Sequence, residues 1–243
     1  MPLIRLAKSE LLKVYGPMSI VIKSGCVDIY GKVLCNNDKA IIHKARNYII
    51  EATSDAEIDV TMVNDSQIQS VDESDPYRKK REIVAEIVQR GYKRIIVIGC
   101  VDCGKTSFVT MLFNAFLRNG NKPGVIDSDV GQADIGPPGY ITLGVSESTI
   151  LWTSALKPIA MRFIGDIKPQ YYVQGTISKL KELAKLAENL DLNPLIVDTD
   201  GWIKDESGVL HKYSIINELK PDVVIIIGDE LRGLFESTVS LAS

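Results

Sequence analysis

Eight residues carry the clearest chemical signal in this chain. The run Gly99-Cys100-Val101-Asp102-Cys103-Gly104-Lys105-Thr106 meets the spacing G-x-x-x-x-G-K-[ST] in full. Glycines let a backbone curl so that successive N–H groups face an anion, and a following helix adds its positive end. A lysine placed like Lys105 reaches β- and γ-phosphates, and a hydroxyl placed like Thr106 can ligate magnesium. The run follows an apolar stretch, Ile95–Ile98, and opens a segment striped by Phe108, Met111, Leu112, Ala115 and Phe116. That strand–loop–helix context separates a nucleotide site from a chance turn. A purine nucleoside triphosphate with magnesium is the expected ligand.

Acidic residues follow at strand ends. Gly124–Ile126 runs into Asp127-Ser128-Asp129-Val130-Gly131-Gln132, and Leu195-Ile196-Val197 runs into Asp198. A carboxylate leaving a strand beside a phosphate loop can hold magnesium or its waters, or take a proton from an attacking hydroxyl. The Asp127/Asp129 pair is the first candidate and Asp198 the second; a loop cap is the structural alternative for each. Asp198-Thr199-Asp200-Gly201-Trp202 places a hydroxyl, a glycine and an aromatic where open α/β sheets bind ligands. Asp134 has no evident role, and Gly136-Pro137-Pro138-Gly139 reads as a structural turn. Cys100 and Cys103 form C-x-x-C without a second pair, so coincidence explains them better than zinc or redox chemistry. Cys26 and Cys35 are expected to be small buried apolar residues. His43 and His211 have no partner cluster, and the basic run Arg78-Lys79-Lys80-Arg81 reads as a solvated helix turn.

These residues need elements to hold them. Before residue 64 the chain is rich in short Val/Ile runs: Met18–Ile22, Cys26–Tyr30, Ala40–Ile42, Tyr48–Glu51 and Glu57–Met62. Several alternate apolar with polar residues, the pattern of strands wet on one face. A small antiparallel sheet or sandwich over residues 1–74 is the expectation. The polar stretch Asn64–Ser74 is the expected boundary, and Asp75-Pro76 the start of a helix. From residue 75 to 243 strands and helices alternate, which predicts an α/β domain on a mostly parallel sheet. Further strands are expected at Met161–Ile164 and Val223–Ile227, and helices over Thr176–Leu190 and before Pro221.

Composition adds bounds. The chain has 243 residues, 45% hydrophobic and 24% charged, with a net charge of −3. Those values suit a globular protein and argue against a surface that is basic all over, though not against a local basic groove. The longest aliphatic run, Val223–Ile227, is too short to cross a bilayer, and Met1–Pro17 lacks a signal-peptide core. No membrane contact and a cytoplasmic location are therefore expected.

Together the motifs resemble one family, the polynucleotide 5′-hydroxyl kinases of the Clp1/Grc3/Nol9 type, in particular archaeal members. The phosphate loop, with Asp102 in Gly99-x-x-Asp102-x-Gly104-Lys105-Thr106-Ser107, is similar to theirs. Asp127, Asp129, Gly131 and Gln132 match a D-x-D-x-G-Q motif, and Thr199, Gly201 and Trp202 match a T-x-G-W clasp. The resemblance implies a P-loop kinase domain behind a β-rich domain. It also implies transfer of the ATP γ-phosphate to the 5′-hydroxyl of RNA, or of DNA in some members, in the company of RNA-processing proteins. In that reading Lys105 grips the phosphates, Asp129 activates the hydroxyl with Asp127 beside it, and Thr106, Asp127, Asp129 and Gln132 serve the metal. Thr199, Gly201 and Trp202 hold the γ-phosphate region and the nucleic-acid end.

One feature departs from that family. Its lid carries R-x-x-x-R, whereas Arg232 is the sole arginine after Trp202 and has no partner four residues on. Either the sequence is a fragment or shortened product, or another chain supplies those arginines; loss of such an arginine costs orders of magnitude in rate, so impaired transfer is expected of this chain alone. An ATP-retaining scaffold is the alternative. A GTPase switch ranks last, because no N-K-x-D or T-K-x-D follows a strand.

Overall fold

The computed structural model describes residues 3–44, 46–63, 65–71 and 75–235. Of the expected boundary stretch, Asn64 and residues 72–74 lie outside the described residues, as do residues 236–243 of the second domain. The chain divides into two compact units, Met1–Ile83 and Val84–Ser243.

The first unit is all β up to its last segment: β1 (Leu3–Leu6), β2 (Leu11–Tyr15), β3 (Met18–Ser24), β4 (Cys26–Ile29), β5 (Lys32–Cys35), β6 (Lys39–Ile42), β7 (Asn47–Ala52), β8 (Ala56–Met62) and β9 (Gln67–Ser70). They form two antiparallel sheets, ordered β1-β8-β3-β6 and β5-β4-β7-β2-β9. Alternation decides the faces: in β3, Met18, Ile20 and Ile22 are buried, and in β8, Ala56, Ile58 and Val60 are. Strands β1, β2, β5 and β9 are not among the expected runs, although β4 and β6, equally short, are.

Two expectations for this unit are corrected. Cys26 and Cys35 are neither buried nor free: they form a disulfide. The β4–β5 hairpin sets them directly opposite each other, with Cα atoms 4.2 Å apart. A nine-residue separation in sequence says nothing of register, which the turn fixes. The basic run is not simply solvated either. Helix α1 (Tyr77–Arg90) begins after Asp75, whose carboxylate accepts the Tyr77 N–H at 3.0 Å. Arg81 pairs with Glu51, and Arg78 donates to the Ser9 carbonyl. Tyr77 itself is buried beside Tyr30.

The second unit holds β10 (Arg94–Gly99), α2 (Lys105–Arg118), β11 (Gly124–Asp127), β12 (Tyr140–Val145), β13 (Lys157–Phe163), α3 (Val173–Asn189), β14 (Leu195–Asp198), α4 (Glu206–Leu219) and β15 (Val223–Ile227). One six-stranded sheet runs β13-β12-β11-β14-β10-β15. Strands β11, β14, β10 and β15 are parallel, while β12 is antiparallel to both neighbours. The sheet is thus parallel over four strands and extended by an antiparallel hairpin. The sequence reading missed β12, whose start adjoins the Pro137-Pro138 turn.

Strand β10 is apolar on both faces because both are covered. Ile96, Ile98, Ile126 and Val197 join one core with Ile177, Leu180 and Leu183 of α3 and Ile215 and Leu219 of α4. Ile95, Val97, Val125 and Ile196 alternate with them and are also fully buried, and α2 packs against β10 and β14. Along α2, Phe108, Phe113 and Phe116 are buried, each contributing about 1.5–3 kcal/mol of transfer free energy. No helix among the described residues is long and apolar enough to cross a membrane.

Behind the phosphate loop, α2 also carries a buried polar strut. Asn114 donates to the Ile150 carbonyl at 2.7 Å and accepts its N–H at 2.8 Å. Asn114→Ala leaves both main-chain groups buried without that partner, so the expected loss is about 2–4 kcal/mol. Urea unfolding of the two proteins measures it; equal midpoints would mean that water replaces the amide.

Candidate functional site

Parallel strands deliver their carboxyl ends to one rim, and the motif residues collect there. Strand β10 ends at Gly99 and the loop turns at once into α2. Asp102 (φ 59°) and Gly104 (φ 91°) both adopt left-handed backbone, the kind of conformation that lets neighbouring N–H groups converge on an anion. Gly99 admits no side chain: a Cβ there would lie 2.5 Å from Cys103 Sγ and 2.8 Å from the Ile227 carbonyl oxygen. Lys105 is buried, and its Nζ donates to the Cys100 carbonyl at 2.7 Å. Cys103 points its thiol at the same carbonyl, 2.9 Å away, and burial first of all pushes its pKa up to about 11. It is a protonated structural thiol at neutral pH.

Three aspartates on this rim have different surroundings. Asp127 ends β11 with both oxygens engaged by main chain: Oδ1 accepts from Asp129 N–H, and Oδ2 from Asp134 N–H (2.7 Å) and Ile135 N–H (2.9 Å). Burial still pushes it up to about 7. Asp129 uses Oδ1 to accept the N–H groups of Gly131 and Gln132, at 3.1 and 2.9 Å. Its pKa is raised by burial, with the Asp200 charge adding to the shift and Lys105 opposing it. Asp198 ends β14, where Oδ2 accepts the Thr106 hydroxyl at 2.9 Å and buried Oδ1 has no hydrogen-bond partner. Burial, reinforced by the Asp127 charge, pushes it up to about 8.

A divalent ion fits this arrangement through Thr106 and Asp198, because the orphaned Asp198 oxygen is a buried acceptor wanting a cation. Among the described residues no group of three or more His, Cys, Asp or Glu forms a metal cage. Magnesium needs none, since it takes few carboxylates and fills its shell with phosphate oxygens and water. Of the other residues expected to serve the metal, Asp127 is occupied by N–H groups, and Gln132 is exposed.

The clasp lies against the phosphate loop. A Cβ on Gly201 would sit 2.5 Å from Val101 Cγ2 and 2.8 Å from Val101 N, so only glycine lets the two segments touch. The Thr199 hydroxyl is buried and donates to the Val97 carbonyl at 2.9 Å, tying β14 to β10. Trp202 donates its N–H to Asp200 and its indole N–H to Asp205, which also caps α4 by accepting Gly208 N–H. Its ring lies 5.7 Å from that of His211.

Beneath the clasp is a group the sequence reading passed over. Lys212 is fully buried on α4 with Nζ 2.7 Å from Asp200 Oδ1, and His211 Nε2 lies 3.6 Å from Asp200 Oδ2. Burial alone would raise the Asp200 pKa; the adjacent ammonium overrides it and holds the carboxyl far below the usual range. The available signal was a lysine inside the apolar stripe of a helix. Asp134, which had no role from sequence, accepts the Trp152 indole N–H at 2.8 Å and the Thr153 hydroxyl at 3.3 Å.

Breaking one side of a buried pair costs about 3–5 kcal/mol. Lys212→Met is therefore expected to lower unfolding stability by that much, and Asp200→Asn added to it to restore part of the loss. Strictly additive losses in chemical denaturation would show that the two groups are not coupled. The pH dependence has two limbs. Asp127 and Asp198 have raised folded pKa values, so their contribution to the stability of the ligand-free chain is present below the ordinary carboxylate range and lost as pH rises to about 7 and about 8. Asp200 is depressed, so its contribution is lost as pH falls below the ordinary carboxylate range. Thermal melts across this range should peak between these limbs, and Asp198→Asn should flatten the upper one.

The sequence profile described as "mRNA cleavage and polyadenylation factor CLP1 P-loop" matches residues 99–240, more than half of the chain. The polyribonucleotide 5′-hydroxyl-kinase of Methanocaldococcus jannaschii is 37% identical over 145 residues, 59% of this chain and 40% of that protein. That of Thermococcus kodakarensis is 31% identical over 144 residues, again 59% of this chain and 40% of the relative. The chain thus spans about two fifths of the length of these curated relatives. Among solved structures, Clp1p in complex with Pcf11p superposes with a TM-score of 0.76 at 17% identity, covering 98% of this chain and 65% of that one. That likeness shows the shared fold, a β-rich part followed by a P-loop α/β part, and the profile match shows that the chain belongs to the CLP1 P-loop family.

Proposed function

We propose that this chain is an ATP-dependent polynucleotide kinase that moves the γ-phosphate to the 5′-hydroxyl of RNA. The observation carrying this reading is that the phosphate loop, the Thr106–Asp198 pair and Asp129 share one rim, with Gly201 of the clasp packed on Val101. The names of the relatives support the acceptor class, and the family supports ATP as donor.

Each residue then has a task. Main-chain N–H groups from Cys100 to Ser107 hold the triphosphate, and Lys105 leaves the Cys100 carbonyl to meet its terminal oxygens. Thr106 and Asp198 hold the divalent ion, which when bound neutralises charge on the phosphates. Asp129, its pKa raised by burial, accepts the proton of the 5′-hydroxyl as that oxygen attacks. Asp127 shapes the loop that aims Asp129, because its oxygens already bind three N–H groups. Trp202, braced by Asp200 and Asp205, closes over the transferring group. Alignment and charge neutralisation are the main requirements of phosphoryl transfer.

One observation favours a second reading. Arg232 is exposed and unaccompanied by another arginine four residues on, which suits a scaffold that retains ATP without turnover. The test is transfer of labelled γ-phosphate to a 5′-hydroxyl oligoribonucleotide. Lys105→Ala is expected to abolish transfer. Asp129→Asn should lower kcat by about 10²–10⁴ while ATP affinity persists. Tight ATP retention with no transfer above background would instead select the scaffold, and full activity in Asp129→Asn would remove its assignment as base.

A further inference from the structure

Ten residues beyond the proposed phosphate site carry four large exposed apolar side chains. Phe163 is 65% exposed, Ile167 56%, Tyr171 65% and Tyr172 46%. Such a cluster on a surface marks a binding site more often than it marks idle surface. We propose that the end of β13 and the 164–172 segment form a stacking platform for the bases that follow the 5′ end of a single-stranded polynucleotide. This rests on the kinase reading and adds to it the surface that receives the acceptor strand.

Topology puts the platform on the correct rim. Strands β11 and β13 are both antiparallel to β12, so they run the same way. Phe163 therefore emerges at the same end of the sheet as Asp127, two strands across and two residues beyond Met161, the residue level with Asp127, and so about 12 Å away. The platform also abuts the acceptor-side loop: a Cβ on Gly131 would sit 2.9 Å from the Ile167 carbonyl oxygen. The loop that aims Asp129 thus rests on the segment that presents the rings. A strand whose first residue reached Asp129 would lead its next residues over Phe163 and Tyr171.

The chemistry of the patch favours nucleic acid over an apolar protein face. Lys168 Nζ lies 5.8 Å from the centroid of the Tyr171 ring, a cation and a π-face together at an open surface. Nearby acidic groups are engaged. Asp166 accepts the Lys168 N–H at 2.9 Å, and Glu182 pairs with Arg162 and Lys179. Lys168 is exposed. Aromatic rings beside a lysine bind single strands without sequence preference, by stacking and phosphate attraction.

The test measures binding of a 3′-labelled 5′-hydroxyl oligoribonucleotide by fluorescence anisotropy, with a non-hydrolysable ATP analogue and magnesium present. Tyr171→Ala and Tyr172→Ala are each expected to weaken binding about tenfold, and Tyr171→Phe to restore it, since stacking needs the ring and not the hydroxyl. An oligonucleotide abasic just after its 5′ residue should bind the native chain as weakly as the intact strand binds the alanine variants. Titration of the ATP analogue confirms that each variant is folded. Unchanged oligonucleotide affinity in the alanine variants, with transfer by the native chain intact, overturns the platform and leaves the kinase reading standing. A shift of those variants from dimer to monomer with unchanged oligonucleotide affinity also overturns it, by assigning the face to a second copy. Ring-dependent binding without transfer upholds the platform and overturns the kinase reading. No oligonucleotide binding by the native chain overturns both.

Discussion

Crowded negative charge is the constraint on which this site depends. Asp127, Asp129, Asp198 and Asp200 lie on one rim of one sheet, and a triphosphate would add to them. Water cannot relieve the repulsion where the groups are buried, so each carboxylate needs its own compensation. Asp127 takes main-chain N–H groups, Asp129 caps the turn that follows it, Asp198 takes a hydroxyl, and Asp200 takes an ammonium. The Asp198 solution is incomplete, with one buried oxygen left over, and Asp200 Oδ2 has only His211 Nε2 near it, 3.6 Å away. An incomplete carboxylate beside a phosphate loop is where a divalent cation gains most.

The compensations divide the rim into parts with separate duties. Asp127 is satisfied by the protein alone and so serves shape. Asp200 is held through Oδ1 by the Lys212 ammonium and the Trp202 N–H, which links α4 to the clasp. Asp129 and Asp198 retain chemical freedom because their surroundings do not meet all their demands. In the proposed reading Asp129 is the base and Asp198 the metal ligand, whereas Asp127, although burial raises its pKa too, has both oxygens already engaged.

Close backbone approach is the second device that builds the site. Gly99, Gly131 and Gly201 each stand where a Cβ would meet a neighbouring segment at under 3 Å. Gly99 lets the phosphate loop meet the end of β15, Gly131 lets its turn meet the Ile167 segment, and Gly201 lets the clasp meet the phosphate loop.

The amino-acid sequence by itself determined the chemistry of the phosphate loop, since eight consecutive residues carry spacing, lysine and hydroxyl together. It determined the D-x-D-x-G-Q and T-x-G-W segments for the same reason, and the central strands Ile95–Ile98 and Val223–Ile227 through unbroken apolar runs. Local pattern reaches no further. The Asp200–Lys212 pair joins residues on a strand-end loop and a helix, and nothing in either segment names the other. The Cys26–Cys35 bond depends on hairpin register, and the Thr106–Asp198 contact on β14 lying beside β10 although β11 comes between them in sequence. The antiparallel pairing of β12 with β11 and β13 sets the expected Met161–Ile164 strand at the sheet edge, with Phe163 at the same sheet end as Asp127. Those features depend on which strands become neighbours, which the tertiary fold settles through burial of both sheet faces at once.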